Sequence, residues 1–255
     1  MRKTSVNCER IVEEFFSMDR VIFSYSRSKL HHSEKILFRR YLKKRGKLLD
    51  LCCGAGRVAI PLAKMGFDVI GIDNNLKMIE RAKRKLNIKN VKFIHADASK
   101  IRFKKEFDYV LVMEDSLELI VSRDKRMAVF KNIYNSLKDG GMFITSFGSC
   151  FYPFRIFVKL LIHNIKYIFN CTLFSENSEL GLNDIILRVR KPGKGYLFFH
   201  FFTPWEIQKI AKRVGFKSFE IIPTNILDKS KNRFKNLRIY QYLKPFFQCY
   251  YLFYK

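Results

Sequence analysis

Acidic side chains are scarce in this 255-residue chain: 23 Asp and Glu stand against 49 Lys and Arg, for a formal net charge of +26. Metal-ligand spacing is missing too. The six cysteines, at 8, 52, 53, 150, 171 and 249, form no Cys-x-x-Cys pair and no Cys/His cluster. That excludes a zinc finger or ribbon and reads as reduced, mostly buried thiols with no structural metal. No Gly/Ser/Pro linker and no internal repeat divides the chain, and 48% hydrophobic content is ample for one core. The longest greasy stretch, Phe151 to Phe169, is interrupted by Arg155, Lys159, His163 and Lys166 at helical spacing. A membrane span is thereby excluded and an amphipathic helix expected, with peripheral membrane contact left open. The charged N-terminus has no apolar run behind it, so a secretory signal is not expected and the protein is expected to be cytoplasmic. Two phosphate loops are absent as well. The run Cys52-Cys53-Gly54-Ala55-Gly56-Arg57-Val58-Ala59 lacks the first glycine of a dinucleotide fingerprint and the Gly-Lys-Ser/Thr of a P-loop.

What is present is a short apolar strand, Leu48 to Leu51, running through a small-residue turn, Cys52 to Gly56, into a helix. Such a turn brings backbone N–H groups and the positive helix end close to a ligand, and only residues without bulk permit the approach. Asp50 precedes it. A second apolar strand, Phe67 to Ile72, ends in Asp73 and then Asn74, and a third, Val91 to Ala96, ends in Asp97 and Ala98. Adjacent parallel strands bring their carboxyl ends together, so Asp73 is placed to accept from both hydroxyls of a ribose diol and Asp97 from an adenine amino group.

These residues resemble the class I S-adenosylmethionine-dependent methyltransferases, whose first motif is an acid followed by a glycine-rich turn, as in Asp50 through Gly56. The resemblance covers nearly the whole chain. Phe107 to Val112 looks like the fourth strand, Leu137 to Ile144 like the helix-to-fifth-strand turn, and Phe202 to Ile207 with Ala211 to Phe216 like the last helix and the step before the sixth strand. It implies an α/β fold: a doubly wound, seven-stranded, mostly parallel, Rossmann-like sheet with the last strand antiparallel and helices on both faces. It also implies S-adenosyl-L-methionine as cofactor, held by Asp50, Cys52, Gly54, Gly56, Arg57, Asp73, Asn74, Asp97, Ala98 and Met113. The family usually has glycine where Cys52 stands, so a side chain there requires an ordinary negative φ and room for a sulfur.

The expected organisation is an N-terminal helical cap over 1–46 and a methyltransferase domain over 47–255. Within the latter, strand and helix alternate five times over 47–147, and residues 148–195 are a helical lid or acceptor-site insertion. Methyl transfer from a sulfonium asks mainly for alignment and desolvation, and a base only if the acceptor arrives protonated or is a hydroxyl. Glu114 and Asp115, beyond the fourth strand, are the main candidates. His200 is a further one if its strand register faces the acceptor, as is His95, while Tyr25 is placed to close over the cofactor. Basic residues exceed acidic ones by 13 to 5 in 1–47, 18 to 12 in 48–150 and 18 to 6 in 151–255. The excess sits mainly outside the cofactor core and is densest in Lys229 to Arg238. A small-molecule acceptor is the leading reading. RNA, tRNA included, is the alternative that the charge allows, although the Asn/Asp-Pro-Pro-aromatic signature of base-amino methylation is replaced by Glu114-Asp115-Ser116-Leu117. A non-catalytic basic binding module is a third reading, and it leaves three cofactor acids unexplained. A monomer or weak dimer is expected.

Overall fold

The computed structural model describes residues 7–85, 88–148, 154–173, 181–189, 194–227 and 249–255. Three short helices lead, α1 (Cys8–Ser17), α2 (Asp19–Arg27) and α3 (His32–Tyr41). Their ends are set locally: Asn7 Oδ1 accepts the Arg10 N–H at 2.8 Å, and Glu34 Oε2 accepts the His31 N–H at 2.7 Å. The sheet follows with β1 (Lys47–Leu51), α4 (Ala59–Lys64), β2 (Asp68–Asp73), α5 (Leu76–Lys83), β3 (Val91–His95), β4 (Phe107–Val112), α6 (Arg123–Ser136) and β5 (Leu137–Phe147). After it come α7 (Phe154–Leu173), β6 (Asp184–Val189), β7 (Gly195–His200), α8 (Pro204–Val214), β8 (Ser218–Pro223), α9 (Thr224–Leu227) and β9 (Cys249–Tyr254).

Seven strands lie in the order β3-β2-β1-β4-β5-β9-β8. The first five are mutually parallel, and β9 runs antiparallel to both neighbours, pairing Met142 with Tyr254 on one side and Ser218 with Tyr254 on the other. This is the doubly wound sheet with a reversed last strand that the sequence predicts. Its strands read as nearly unbroken apolar runs because both faces are covered. Along β1, Leu48 packs with Leu37, Phe38 and Leu62 of α3 and α4, whereas Leu49 packs with Val129, Phe130 and Ile207 of α6 and α8. Each such buried Leu or Phe contributes about 1.5–3 kcal/mol of transfer free energy.

Two expectations change. Between β3 and β4 there is no helix: residues 96–106 form turns, with Ile101 and Phe103 packed into the core, a connection too short for a helix and its two loops. The insertion after β5 carries the expected helix, α7, and a β-hairpin besides. β6 and β7 pair antiparallel from Asp184↔His200 to Val189↔Gly195, as a two-stranded sheet of their own. This hairpin, rather than α7, reaches the site: Leu197 of β7 joins Phe15, Val21, Ile22 and Met78 in a small cluster beneath α1 and α2, while Leu160 of α7 packs behind with Ile185 and Phe201. Among the described residues no helix is long and apolar enough to cross a membrane. The basic segment Lys229 to Arg238 lies outside the described residues.

Candidate active site

The carboxyl ends of β1, β2, β3 and β4 open into a cavity of about 490 Å³. The loops that follow these four strands line it, together with residues of α1, α2 and α6. After β1, the chain turns sharply: Cys52, Gly54 and Gly56 have φ of 56°, 52° and 79°, and the turn is closed by Cys53 N–H to Ile72 O and Gly56 N–H to Cys53 O, both 3.0 Å. The expected negative φ at Cys52 is therefore corrected. The cysteine occupies the left-handed region that glycine adopts freely, a conformation costing an ordinary residue about 1–2 kcal/mol. A Cβ on Gly54 would meet nothing within 4 Å, so this position faces open space. Gly56 differs. A Cβ there would come within 2.8 Å of Phe93 and 2.9 Å of Ile60, so Gly56 serves packing and does not line the cavity.

Asp73, at the end of β2, ties the first loop to the second: its Oδ2 accepts the Gly54 N–H and its Oδ1 the Asn75 N–H, each at 2.8 Å. Asp97, after β3, holds Ser99 through Oδ1, accepting from the backbone at 2.8 Å and from the hydroxyl at 2.7 Å. His95 and Asn74 meet through Nε2 and a backbone carbonyl, 3.0 Å apart. Asp50 is buried, and its Oδ2 has no hydrogen-bond partner. Burial pushes this carboxyl up to about 7, against the pull of Arg57 and an N–H of Ala59. Burial also raises the thiols of Cys52 and Cys53, which are free. Of the predicted cofactor residues, Asp50, Cys52, Gly54, Arg57, Asp73, Asn74, Asp97, Ala98 and Met113 all line this one cavity, and so do His95 and Tyr25.

A second cavity of about 560 Å³ adjoins the first, and Phe16, Tyr25, Glu114 and Leu119 belong to the walls of both. Glu114 and Asp115, consecutive residues at φ 54° and 56°, stand at the junction, where their strained turn is held by the Asp115 N–H on Ser146 Oγ at 3.0 Å. Sequence reasoning missed the partners gathered around them. Glu34 of α3 is buried and takes Arg57 in a two-pronged pair, with Nη1 to Oε2 at 2.6 Å and Nη2 to Oε1 at 2.8 Å. Arg57 Nε lies 3.3 Å from Glu114 Oε1, and His31 Nε2 lies 3.0 Å from the same oxygen. Glu34 also caps the start of α3 by accepting the His31 N–H at 2.7 Å, a local contact that carries no sign of this one across the fold. Burial, with Glu114 nearby, pushes the Tyr25 hydroxyl up to about 12, so it stays a donor at neutral pH.

His200 lies elsewhere. It is buried at the end of β7, with Nδ1 2.6 Å from Asp184 Oδ1 and Nε2 3.1 Å from Glu206 Oε1, and it lines neither cavity. Burial opposes its charge, but the two carboxylates hold its pKa above the usual value. It fastens the hairpin to α8. Among the described residues no group of three or more His, Cys, Asp or Glu is placed to hold a metal ion.

Residues 48–141 match the family model described as a methyltransferase domain. The chain is 32% identical over 147 residues to a putative methyltransferase of Bacillus subtilis, YqeM, an alignment covering 55% of this chain and 59% of that protein. It is 34% identical over 108 residues to the demethylmenaquinone methyltransferase of Staphylococcus saprophyticus, covering 40% and 45% respectively. The chain thus spans about half the length of these curated relatives. The solved structure of an S-adenosylmethionine-dependent methyltransferase from Methanosarcina mazei superposes with a TM-score of 0.64 at 18% identity, over 89% of this chain and 99% of that one, a likeness of fold. Strand order and the match over β1 to β5 agree: residues 48–141 are a methyltransferase domain, and the chain has the Rossmann-like fold of the class I S-adenosyl-L-methionine-dependent methyltransferases.

Proposed function

We propose that the protein transfers a methyl group from S-adenosyl-L-methionine to a small molecule bound in the second cavity. The first cavity fits the cofactor on two observations: the buried Asp50 Oδ2 without a partner, and the open space in front of Gly54. In this reading Asp50 meets the cofactor's amino group, Asp73 with Asn74 the ribose diol, and Asp97 with Ala98 the adenine. Cys52, Arg57 and Met113 border the methionine end. Bound there, the cofactor supplies a methyl group on a positively charged sulfur. The chain's own part is to bind, orient and exclude water, which carries most of the rate enhancement in an in-line displacement.

The observation that carries the small-molecule reading is the shared wall of Phe16, Tyr25, Glu114 and Leu119, across which an acceptor would face the cofactor. Leu197 and Phe199 of the hairpin border the second cavity beside that wall, in one cluster with Phe16, Tyr25 and Leu119, a setting suited to a compact ligand rather than a polymer. The Staphylococcus relative, a demethylmenaquinone methyltransferase, supports the same class. Glu114 and Asp115 are the groups proposed to take a proton from the acceptor, and His200 is assigned a positioning role.

Calorimetric titration of ligand-free protein with S-adenosyl-L-methionine and S-adenosylhomocysteine tests the cofactor, with micromolar affinity expected for both. Labelled methyl transfer into the metabolite and RNA fractions of a cell extract tests the acceptor. Label is expected in the metabolite fraction, with little dependence on salt. Label in RNA alone, falling steeply as salt rises, overturns the small-molecule reading.

A further inference from the structure

We infer that Arg126 is a positioning residue for the cofactor, holding one wall of the first cavity from behind and tying it to the hairpin; this rests on the first cavity being the cofactor site. The wall is the stretch from Met113 to Val121 that follows β4, and Ile120 and Val121 are its last two lining residues before α6 begins. Three consecutive carbonyls there accept from one residue. The Arg126 N–H reaches Ser122 O at 2.9 Å, and Nη1 reaches Ile120 O at 2.7 Å and Val121 O at 2.9 Å. The first of these bonds is the ordinary opening turn of α6; the other two are charge-assisted and draw the chain before the helix down onto it. Lys125 and Val129 of the same helix line the cavity, whereas Arg126 is buried and lines neither cavity. Its guanidinium acts through the carbonyls that it holds.

The charges around a buried guanidinium decide where it sits. Nη2 of Arg126 lies 4.0 Å from Asp184 Oδ1, and the two side chains are 6% and 4% exposed. Asp184 and Glu206 both attract the guanidinium, and Arg123 repels it. Asp184 opens β6 and takes its own place from the insertion: Oδ2 accepts the Gly181 N–H at 2.7 Å, and Oδ1 lies 2.6 Å from Nδ1 of His200, at the end of β7. Contacts therefore run from both strands of the hairpin through Asp184 to Arg126, and from Arg126 to the carbonyls of the cavity wall. An apolar contact runs beside them, since Leu119 of the wall and Phe199 of β7 both pack into the cluster that holds Leu197. Asp184 neutralises a cation that is costly to bury alone. A planar guanidinium spans two carbonyls and a carboxylate at once, a geometry that a lysine ammonium on its flexible stem does not reproduce. A ligand cavity keeps its shape only as well as the residues behind its lining are fixed, so the hairpin sets the cofactor cavity through Arg126.

Two measurements on the whole chain test this, one of them without ligand. Amide hydrogen exchange is compared among the ligand-free unsubstituted chain, Arg126→Lys and Asp184→Asn. Residues 116–122 are expected to exchange about fivefold faster in both variants, with β1 to β3 unchanged. Calorimetry with S-adenosylhomocysteine is expected to show affinity about tenfold weaker in Arg126→Met, intermediate in Arg126→Lys and about threefold weaker in Asp184→Asn. Because Asp184 acts through Arg126, the double variant is expected to bind no more weakly than Arg126→Met alone, a coupling that general loosening does not produce. Phe216→Leu, in the core against Tyr134 and Phe253 and away from both cavities, lowers the melting temperature and is expected to leave the affinity unchanged. If Arg126→Met does not fold, the same cycle is run with Arg126→Lys. Unchanged exchange over 116–122, an equal rise along the whole chain, unchanged affinity in the Arg126 variants, or losses that simply add in the double variant overturn the inference. Absence of heat with the unsubstituted chain overturns the assignment of the first cavity to the cofactor instead, and the exchange measurement still decides whether Arg126 holds the wall.

Discussion

The two cavities share a wall but are assembled in opposite ways. The first is built mainly from loops that directly follow β1 to β4, in runs of consecutive residues, Asp50 to Val58, Asp73 to Met78, His95 to Ser99 and Met113 to Val121, with Glu9 to Ser17 and Tyr25 of the cap and Lys125 and Val129 of α6 closing over them. The second draws on His31 to Glu34, Glu114 and Asp115, Ser146, Leu197 and Phe199, Thr224 and Tyr250, pieces distributed over most of the chain. A cofactor common to many enzymes is read by local motifs that the parallel sheet aligns. In the proposed function the acceptor is read by whatever the cap, the hairpin and the last strand bring to the same edge. Charge is distributed differently as well: Arg57, Lys77 and Lys125 stand among six carboxylates around the first cavity, and three carboxylates line the second without lysine or arginine, among the described residues.

Arg57 is the residue on which both regions depend, so replacing it gives the largest effect. Arg57→Ala leaves Glu34 buried without its cation, and breaking one partner of such a pair costs about 3–5 kcal/mol. Urea unfolding should show that loss, along with weakened binding at both cavities. Arg57→Lys keeps the charge but not the planar fork and should recover only part of it. Unchanged stability in Arg57→Ala would mean that Glu34 finds water or another partner and that the two cavities are mechanically separate.

Asp73→Ala acts on the first cavity alone. It removes the proposed ribose acceptor and releases the Gly54 and Asn75 N–H groups, so S-adenosylhomocysteine should bind one to two orders of magnitude more weakly, roughly 1.5–3 kcal/mol. Calorimetry measures it directly. Full affinity in this variant would sink the assignment of the first cavity.

Asp50 gives the comparison a pH axis. Its carboxyl titrates near 7 in the folded chain, above the ordinary value of 3.8, so the folded state holds the proton more tightly than the unfolded state does. The sign follows: between about pH 4 and 7 ionisation stabilises the unfolded chain more, and the ligand-free protein should lose stability as pH rises through this window. A cationic group at Asp50 Oδ2 prefers the ionised carboxylate. Cofactor affinity should therefore fall below pH 7 by up to about tenfold per unit, with proton release on binding at neutral pH. Calorimetry in buffers of different ionisation heats counts that proton. Asp50→Asn should abolish both the release and the slope, and a slope that survives would move the titrating group elsewhere.

The same contrast explains what the sequence made legible. Parallel strands buried on both faces announce themselves as apolar runs, and acids at their ends fall on one edge once the sheet order is known; of the ten residues that the resemblance implies for the cofactor, nine line the first cavity. Gly56 was assigned to the ligand when its work is to let the loop sit on Phe93 and Ile60, because a sequence shows that a glycine is required and not which neighbour requires it. The Arg57–Glu34 pair is 23 residues apart in sequence and the His31–Glu114 contact 83, and no local pattern encodes either. His200 was ambiguous by strand register, and the structure resolves it toward the Asp184–Glu206 side.

The smallest expected effect is at Cys52, and it separates two causes that the sequence alone confounds. A left-handed cysteine carries about 1–2 kcal/mol of backbone strain, and glycine would relieve it, but glycine also gives the unfolded chain about 0.5–1 kcal/mol more conformational freedom to lose. Cys52→Gly should thus raise stability by at most about 1.5 kcal/mol, a few degrees in melting temperature. It should also let the backbone approach the methionine end of the proposed cofactor site more closely, tightening S-adenosylhomocysteine severalfold. Cys52→Ala keeps the strain and removes only the sulfur. If Ala and Gly behave alike, the bulk of the thiol limits the cofactor loop; if only Gly gains, the limit is the left-handed turn itself.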